Sequence, residues 1–134
     1  MHYLAADQRA EAGESLRKAL EIRDKVLGAE HPETAGSLVR MADLFVSQDR
    51  TPAAEQYYRR AIGIWEKTDG EDHVLVAETL KRLAYVYAQQ KRRREAARVL
   101  RRATAIDVRN FGENHPTVAD DRRDLAVLGF KDRD

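Results

Sequence analysis

Apolar residues return along the chain in steps of three and four. Between Thr51 and Gly70 they stand at Ala54, Tyr57, Tyr58, Ala61, Ile62, Ile64 and Trp65, the spacing of one face of an α-helix. Thr51 offers an N-cap hydroxyl, Pro52 suits the first helical position, and Gly70 can take the left-handed conformation that ends a helix. After the link Glu71-Asp72-His73, a second set (Val76, Ala77, Leu80, Leu83, Ala84, Tyr87) predicts a helix over 74–90. The same reading places helices near 9–27 and 32–48 ahead of these, and 93–111 and 116–129 after them. Links of three or four residues suit antiparallel neighbours. Nothing alternates with the two-residue period of a strand, so the fold expected is all-α.

The helical pattern is itself periodic. Cut into 9–50, 51–92 and 93–134, the chain keeps one residue in all copies at Ala12/Ala54/Ala96, Ala19/Ala61/Ala103, Ile22/Ile64/Ile106, Gly28/Gly70/Gly112, His31/His73/His115, Ala35/Ala77/Ala119 and Ala42/Ala84/Ala126. A fixed 42-residue period means stacked copies of one helix pair, and such stacks are binding surfaces. The alanine columns are expected to be buried where helices cross closely. Tyr3 falls 42 residues before Phe45, so residues 1–8 read as the remnant of a preceding helix or an N-terminal cap. Tyr3 and Leu4 are then expected to pack on the first full helix. Phe130-Lys131-Asp132-Arg133-Asp134 reads as a polar stop.

Two strings, Ala54-Glu55-Gln56-Tyr57-Tyr58-Arg59-Arg60-Ala61-Ile62-Gly63-Ile64-Trp65-Glu66-Lys67 and Gly28-Ala29-Glu30-His31-Pro32-Glu33-Thr34-Ala35, carry a family likeness. The chain resembles the tetratricopeptide repeat in the 42-residue form of kinesin light chains, over residues 9 to about 129. The resemblance implies a right-handed superhelical solenoid of antiparallel helix pairs, a concave groove that binds peptides or helices, and no catalysis. Two departures stand out. Asp49 and Lys91 occupy places where the family often has glycine. The family's Leu-Asn-Asn-Leu-Ala is replaced by Leu38-Val39-Arg40-Met41-Ala42, Leu80-Lys81-Arg82-Leu83-Ala84 and Arg122-Arg123-Asp124-Leu125-Ala126. Every groove asparagine is gone.

Charge and chemistry narrow the function further. With 24 basic and 23 acidic residues the net charge is +1, which gives no global nucleic-acid character. Without cysteine there are no disulfides and no thiolate sites, and a cytoplasmic setting fits. The three repeated histidines lie one unit apart, whereas zinc needs its ligands about 2 Å from one ion, so they read as shaping each helix entry rather than holding metal. No nucleophile elbow, zinc-protease motif or phosphate loop is present, and no cofactor or enzyme activity is expected. Lys91-Arg92-Arg93-Arg94, with Arg98, Arg101 and Arg102, is the densest basic run. It reads chiefly as a solvated outer face, with nucleic-acid binding the weaker alternative.

The positions between the core-facing residues of successive groove helices are Val39, Arg40, Asp43 and Val46, then Lys81, Arg82, Tyr85 and Ala88, then Arg123, Asp124 and Val127. They form a largely basic track with one aromatic platform. Lys81 and Arg82 are both expected to be exposed. The ligand expected is a peptide or helix of another protein, acidic around an apolar anchor. Self-assembly through the open ends of the stack is the alternative.

Overall fold

The computed structural model describes the backbone of residues 6–27 and 30–130, and the side chains of 11–22, 25 and 30–130. Six helices follow one another among them: α1 (Ala6–Leu27), α2 (Pro32–Ser47), α3 (Thr51–Asp69), α4 (Val74–Gln89), α5 (Arg93–Phe111) and α6 (Pro116–Val127). No strand occurs among the described residues. Tyr3, Leu4, Gly28 and the last four residues lie outside them. Helix starts repeat with the sequence, at Pro32, Val74 and Pro116 and again at Thr51 and Arg93. The chain forms two compact units, Met1–Ile64 and Trp65–Asp134, divided inside α3.

Each helix of the α2, α4 and α6 series begins on a histidine. Nδ1 of His31, His73 and His115 accepts the backbone N–H of Glu33, Leu75 and Thr117, each at 3.1 Å. The ring stands in for the usual Ser or Asp cap, satisfying one of the orphan donors of the first turn. Pro32 and Pro116 follow directly at the first helical position. The repeated histidines are therefore helix caps. At α3, by contrast, the helix starts one residue earlier than expected. Arg50 C=O already accepts from Ala54 N–H at 3.2 Å, so Thr51 is helical rather than the cap.

The same helices end alike. Asp49, Lys91 and Gly129 take left-handed φ angles of 59°, 63° and 88°. In each case the following N–H (Arg50, Arg92, Phe130) reaches five residues back, to the C=O of Phe45, Tyr87 or Leu125. This double bond pattern satisfies the last free carbonyls. The apolar contact that usually accompanies it is made by cation and ring: the Arg50 guanidinium lies 4.8 Å from the Phe45 centroid, and Arg92 lies 4.4 Å from Tyr87. Gly129 arrives early and stops α6 at Val127 instead of 129. A Cβ there would stand 2.7 Å from Arg93 Nη2, whose guanidinium donates to Leu128 C=O.

In Met1–Ile64, α1 packs on α2, with Gly13 close beneath Leu44. Tyr58 of α3 donates its hydroxyl to Asp43 of α2, and the Phe45 and Tyr57 rings meet at 5.3 Å. Leu38, Ala35 and Ala42 are wholly buried. In Trp65–Asp134, α4 packs on α5 and α5 on α6. Val76, Ala77, Val86 and Tyr87 meet Ala96, Ala97, Leu100 and Ile106 in its core, with Val118 and Leu125 from α6. Polar ties hold α5 to the end of α3 and to the link before α4: Arg102 to Glu66 at 2.6 Å, and Arg109 to Asp72 at 2.5 Å.

The alanine columns are buried in α2 to α5 but not at the flanks. Ala12 and Ala19 are half-buried, and Ala119 and Ala126 are exposed. Ile22 is 61% exposed where Ile64 and Ile106 are 4% and 2%. A column is buried only where a further helix covers it.

Two stability tests follow from the caps. Replacing His73 with Ala should cost about 1 kcal/mol, while His73→Asn keeps the acceptor and most of the stability. Lys91→Gly should stabilise by about 0.5–1 kcal/mol, because glycine reaches a positive φ without the Cβ clash. Urea denaturation midpoints measure both; a destabilised Lys91→Gly would contradict the left-handed cap.

Candidate protein-interaction site

A surface pocket of about 260 Å³ opens in Trp65–Asp134 between α4 and α6. Its walls are Lys81, Ala84, Tyr85 and Ala88 of α4, Leu100 of α5, and Asp124, Val127 and Leu128 at the end of α6. Tyr85 and Val127 are 55% and 79% exposed, unusual for large apolar side chains. Gln89, one turn along α4, donates to the Tyr85 hydroxyl at 2.6 Å and fixes the ring at the pocket's edge. The site thus pairs an apolar hollow with a rigid amphipathic wall.

Of the residues expected to line a groove, the structure brings Lys81, Tyr85, Ala88, Asp124 and Val127 together on this pocket. Arg82 and Arg123 are exposed but do not line it, and Arg123 pairs with Asp120 at 3.2 Å. In the other unit, α2 carries Val39, Arg40, Asp43 and Val46. Arg40 is exposed and the other three are half-buried. Asp43 is engaged by Tyr58, so its carboxylate ties α3 to α2.

Lys81 corrects the expectation of exposure. Its side chain is 26% exposed, and its ammonium sits 2.7 Å from Asp107 Oδ2 and 3.1 Å from Asp121 Oδ1. Both aspartates are 1% exposed, so α4, α5 and α6 meet on a buried ionic cluster. Asp121 Oδ2 has no hydrogen-bond partner. Burial, then the adjoining Asp107 carboxyl, push Asp121 from 3.8 up to about 7 against the pull of Lys81. Burial works to lower the Lys81 ammonium, but the two carboxylates outweigh it and hold it above its usual value. Removing this lysine would leave two buried acids without a counter-charge. The repeat columns carry a signal for the cluster. Asp107 stands where the preceding copy has Trp65, and Asp121 where the earlier copies have Ser37 and Thr79.

Much of the basic run is also engaged internally. Arg92 Nε donates to Glu95 at 2.9 Å and Nη1 to Gln90 at 2.8 Å, Arg93 caps α6, and Arg102 pairs with Glu66. Among the described residues no cluster of three His, Asp or Glu could hold a metal ion, and no helix is long and apolar enough to cross a membrane.

The sequence matches the tetratricopeptide repeat over residues 1–67 and again over 52–109. This chain belongs to the tetratricopeptide-repeat family. Its fold is similar to that of a Podosopora anserina protein described as a kinesin light chain with nearly identical TPR-like repeats, at a TM-score of 0.79 and 24% identity, covering 91% of this chain and 58% of that one. A variant of that protein matches equally, with 57% of its length covered. BtubC (BKLC) from P. vanneervenii matches at a TM-score of 0.81 and 23% identity, over 91% of this chain and 49% of that one. The chain therefore spans roughly half the length of these relatives. No curated protein matches it. Tetratricopeptide repeats are non-catalytic scaffolds that mediate protein–protein interaction.

The ionic cluster makes stability depend on pH. Asp121 binds its proton more tightly folded than unfolded, so its contribution is full below about pH 4 and is lost as pH rises through about 7. Urea midpoints should fall between pH 5 and pH 8, and Asp121→Asn should flatten that dependence. An equally steep decline in the variant would place its origin elsewhere.

Proposed function

We propose that the chain is a non-enzymatic protein-binding module that takes a peptide or helix of a partner on the exposed surface of α4 and α6. The observation that carries this is the pocket walled by Tyr85 and Val127, a hollow able to seat one apolar side chain beside a rigid ring. Arg82 and Arg123 lie exposed on the same two helices and favour acidic residues flanking that anchor. Lys81 supports the surface from beneath, because its charge is committed to Asp107 and Asp121. Within Met1–Ile64, Val39, Arg40, Asp43 and Val46 offer α2 a binding surface of its own. The reading includes a cytoplasmic location and no cofactor.

End-to-end self-association is the second reading. The exposed Ile22 favours it. Arg122, standing in the column of the buried Leu38 and Leu80, works against an apolar junction at α6. Nucleic-acid binding through 91–102 has less support, since Arg92, Arg93 and Arg102 serve the fold.

A peptide array probed with wild type, Tyr85→Ala and Arg82→Glu tests the proposal. Both variants should keep their circular dichroism and melting curves while losing on the order of tenfold or more in affinity. Retention of every bound peptide by both would overturn it. Light scattering that rises with concentration, with no peptide bound, would favour self-association.

A further inference from the structure

A second depression, of about 280 Å³, lies on the α5–α6 surface and shares no residue with the Tyr85 pocket. Arg101 and Arg109 of α5, Arg122 of α6 and Glu113 of the intervening link line it, over a floor of Ala105 and Val108. Three arginines and one glutamate thus line a single concavity. Each is held by a neighbour: Arg109 by Asp72 at 2.5 Å, Arg122 by Glu113, and Arg101 over the Phe130 ring at 5.4 Å. The third arginine breaks the repeat. Position 122 is leucine in both earlier copies, where Leu38 and Leu80 are 0% and 3% exposed. A charged fork here therefore departs from the packing rule that the other copies obey.

We propose that this depression takes a phosphoryl group carried on a phosphorylated serine or threonine of a partner protein. The chemistry follows from what already occupies the site. Glu113 gives Arg122 what a carboxylate ligand could give, so a monoanion would gain little by displacing it. A phosphoryl group carries nearly two charges and three acceptor oxygens, enough to engage more than one fork at once. Arginine rather than lysine at all three positions suits planar, paired hydrogen bonding. The concavity admits a single protruding group. None of the exposed large apolar side chains, Ile22, Tyr85, Phe111 or Val127, lines it, which favours a peptide over a bilayer. This surface is independent of the α4 and α6 reading and can stand if that one fails.

The test is a titration of nitrogen-labelled protein with a Gly/Ala peptide centred on phosphoserine, following the arginine Nε–Hε resonances. The same peptide with serine, and with glutamate, serves as comparison. The phosphopeptide should shift Arg101, Arg109 and Arg122 saturably. The glutamate peptide should bind about tenfold more weakly or less, and the serine peptide should not bind. Arg122→Leu, which restores the repeat's own residue, and Arg109→Gln should each weaken binding about tenfold. Glu113→Gln should tighten it by removing one of the two internal competitors, the other being Asp72 on Arg109. If Arg122→Leu perturbs the circular dichroism, Arg109→Gln alone decides. Equal binding of the glutamate peptide, undiminished binding by the folded variants, or equal shifts at Arg94 and Arg98 would overturn the proposal. So would sedimentation with phosphatidic acid vesicles when the phosphopeptide moves nothing.

Discussion

A helix pair of this size cannot bury its apolar face alone. Each helix must be covered by the next, and the crossing distance must be the same in every copy for the period to persist. That constraint accounts for the small residues. Ala35, Ala42, Ala54, Ala61, Ala77, Ala96 and Ala103 are all wholly buried, and the larger Leu38, Tyr58, Leu80, Leu100 and Leu125 fill the space between them. In a packed interior a methylene too many is felt at once, so these columns have little freedom. Residues that escape covering, such as Ala119, Ala126 and Ile22, mark where no further helix of the described residues lies against them.

Helix ends obey a second rule with looser chemistry. The chain reverses direction every twenty or so residues, and each reversal leaves polar backbone groups to satisfy. Histidine at the start and a left-handed residue at the end solve this in all three copies of the α2 series. At the ends only glycine is free of strain, yet Asp49 and Lys91 hold the position. Their neighbours Arg50 and Arg92 lie over Phe45 and Tyr87, adding a contact that glycine alone would not bring.

These regularities decide how much of the molecule is legible in its sequence. The six helices are legible because a 3.6-residue pattern repeated three times reinforces itself, and Gly70 and Gly112 punctuate it at φ of 97° and 92°. Boundaries are less so. The end of α6 depends on a glycine that arrives ahead of the period, and the start of α3 on a carbonyl of Arg50. The groove is half legible. Tyr85 can be placed because its column is surface, whereas Lys81 cannot, since its partners sit 26 and 40 residues away on other helices. Period reports which face a residue occupies. It does not report which charge lies opposite.

Charge at a column that is otherwise apolar or neutral is consequently the more informative signal in a repeat protein. Asp107 takes the place that Trp65 holds in the preceding copy, Asp121 that of Ser37 and Thr79, and the chain supplies their counter-ion from α4. Such clusters seldom stabilise more than a well-packed apolar core, but they penalise every arrangement in which the partners are apart. The last three helices are thereby held in one register beneath the Tyr85 pocket, whose wall Lys81 also forms. Arg122 is the complementary case. It replaces a buried leucine, and its carboxylate partner Glu113 is 54% exposed and comes from a link rather than a helix. A charge answered from within locks a core, and a charge answered at the surface can exchange that partner for a ligand.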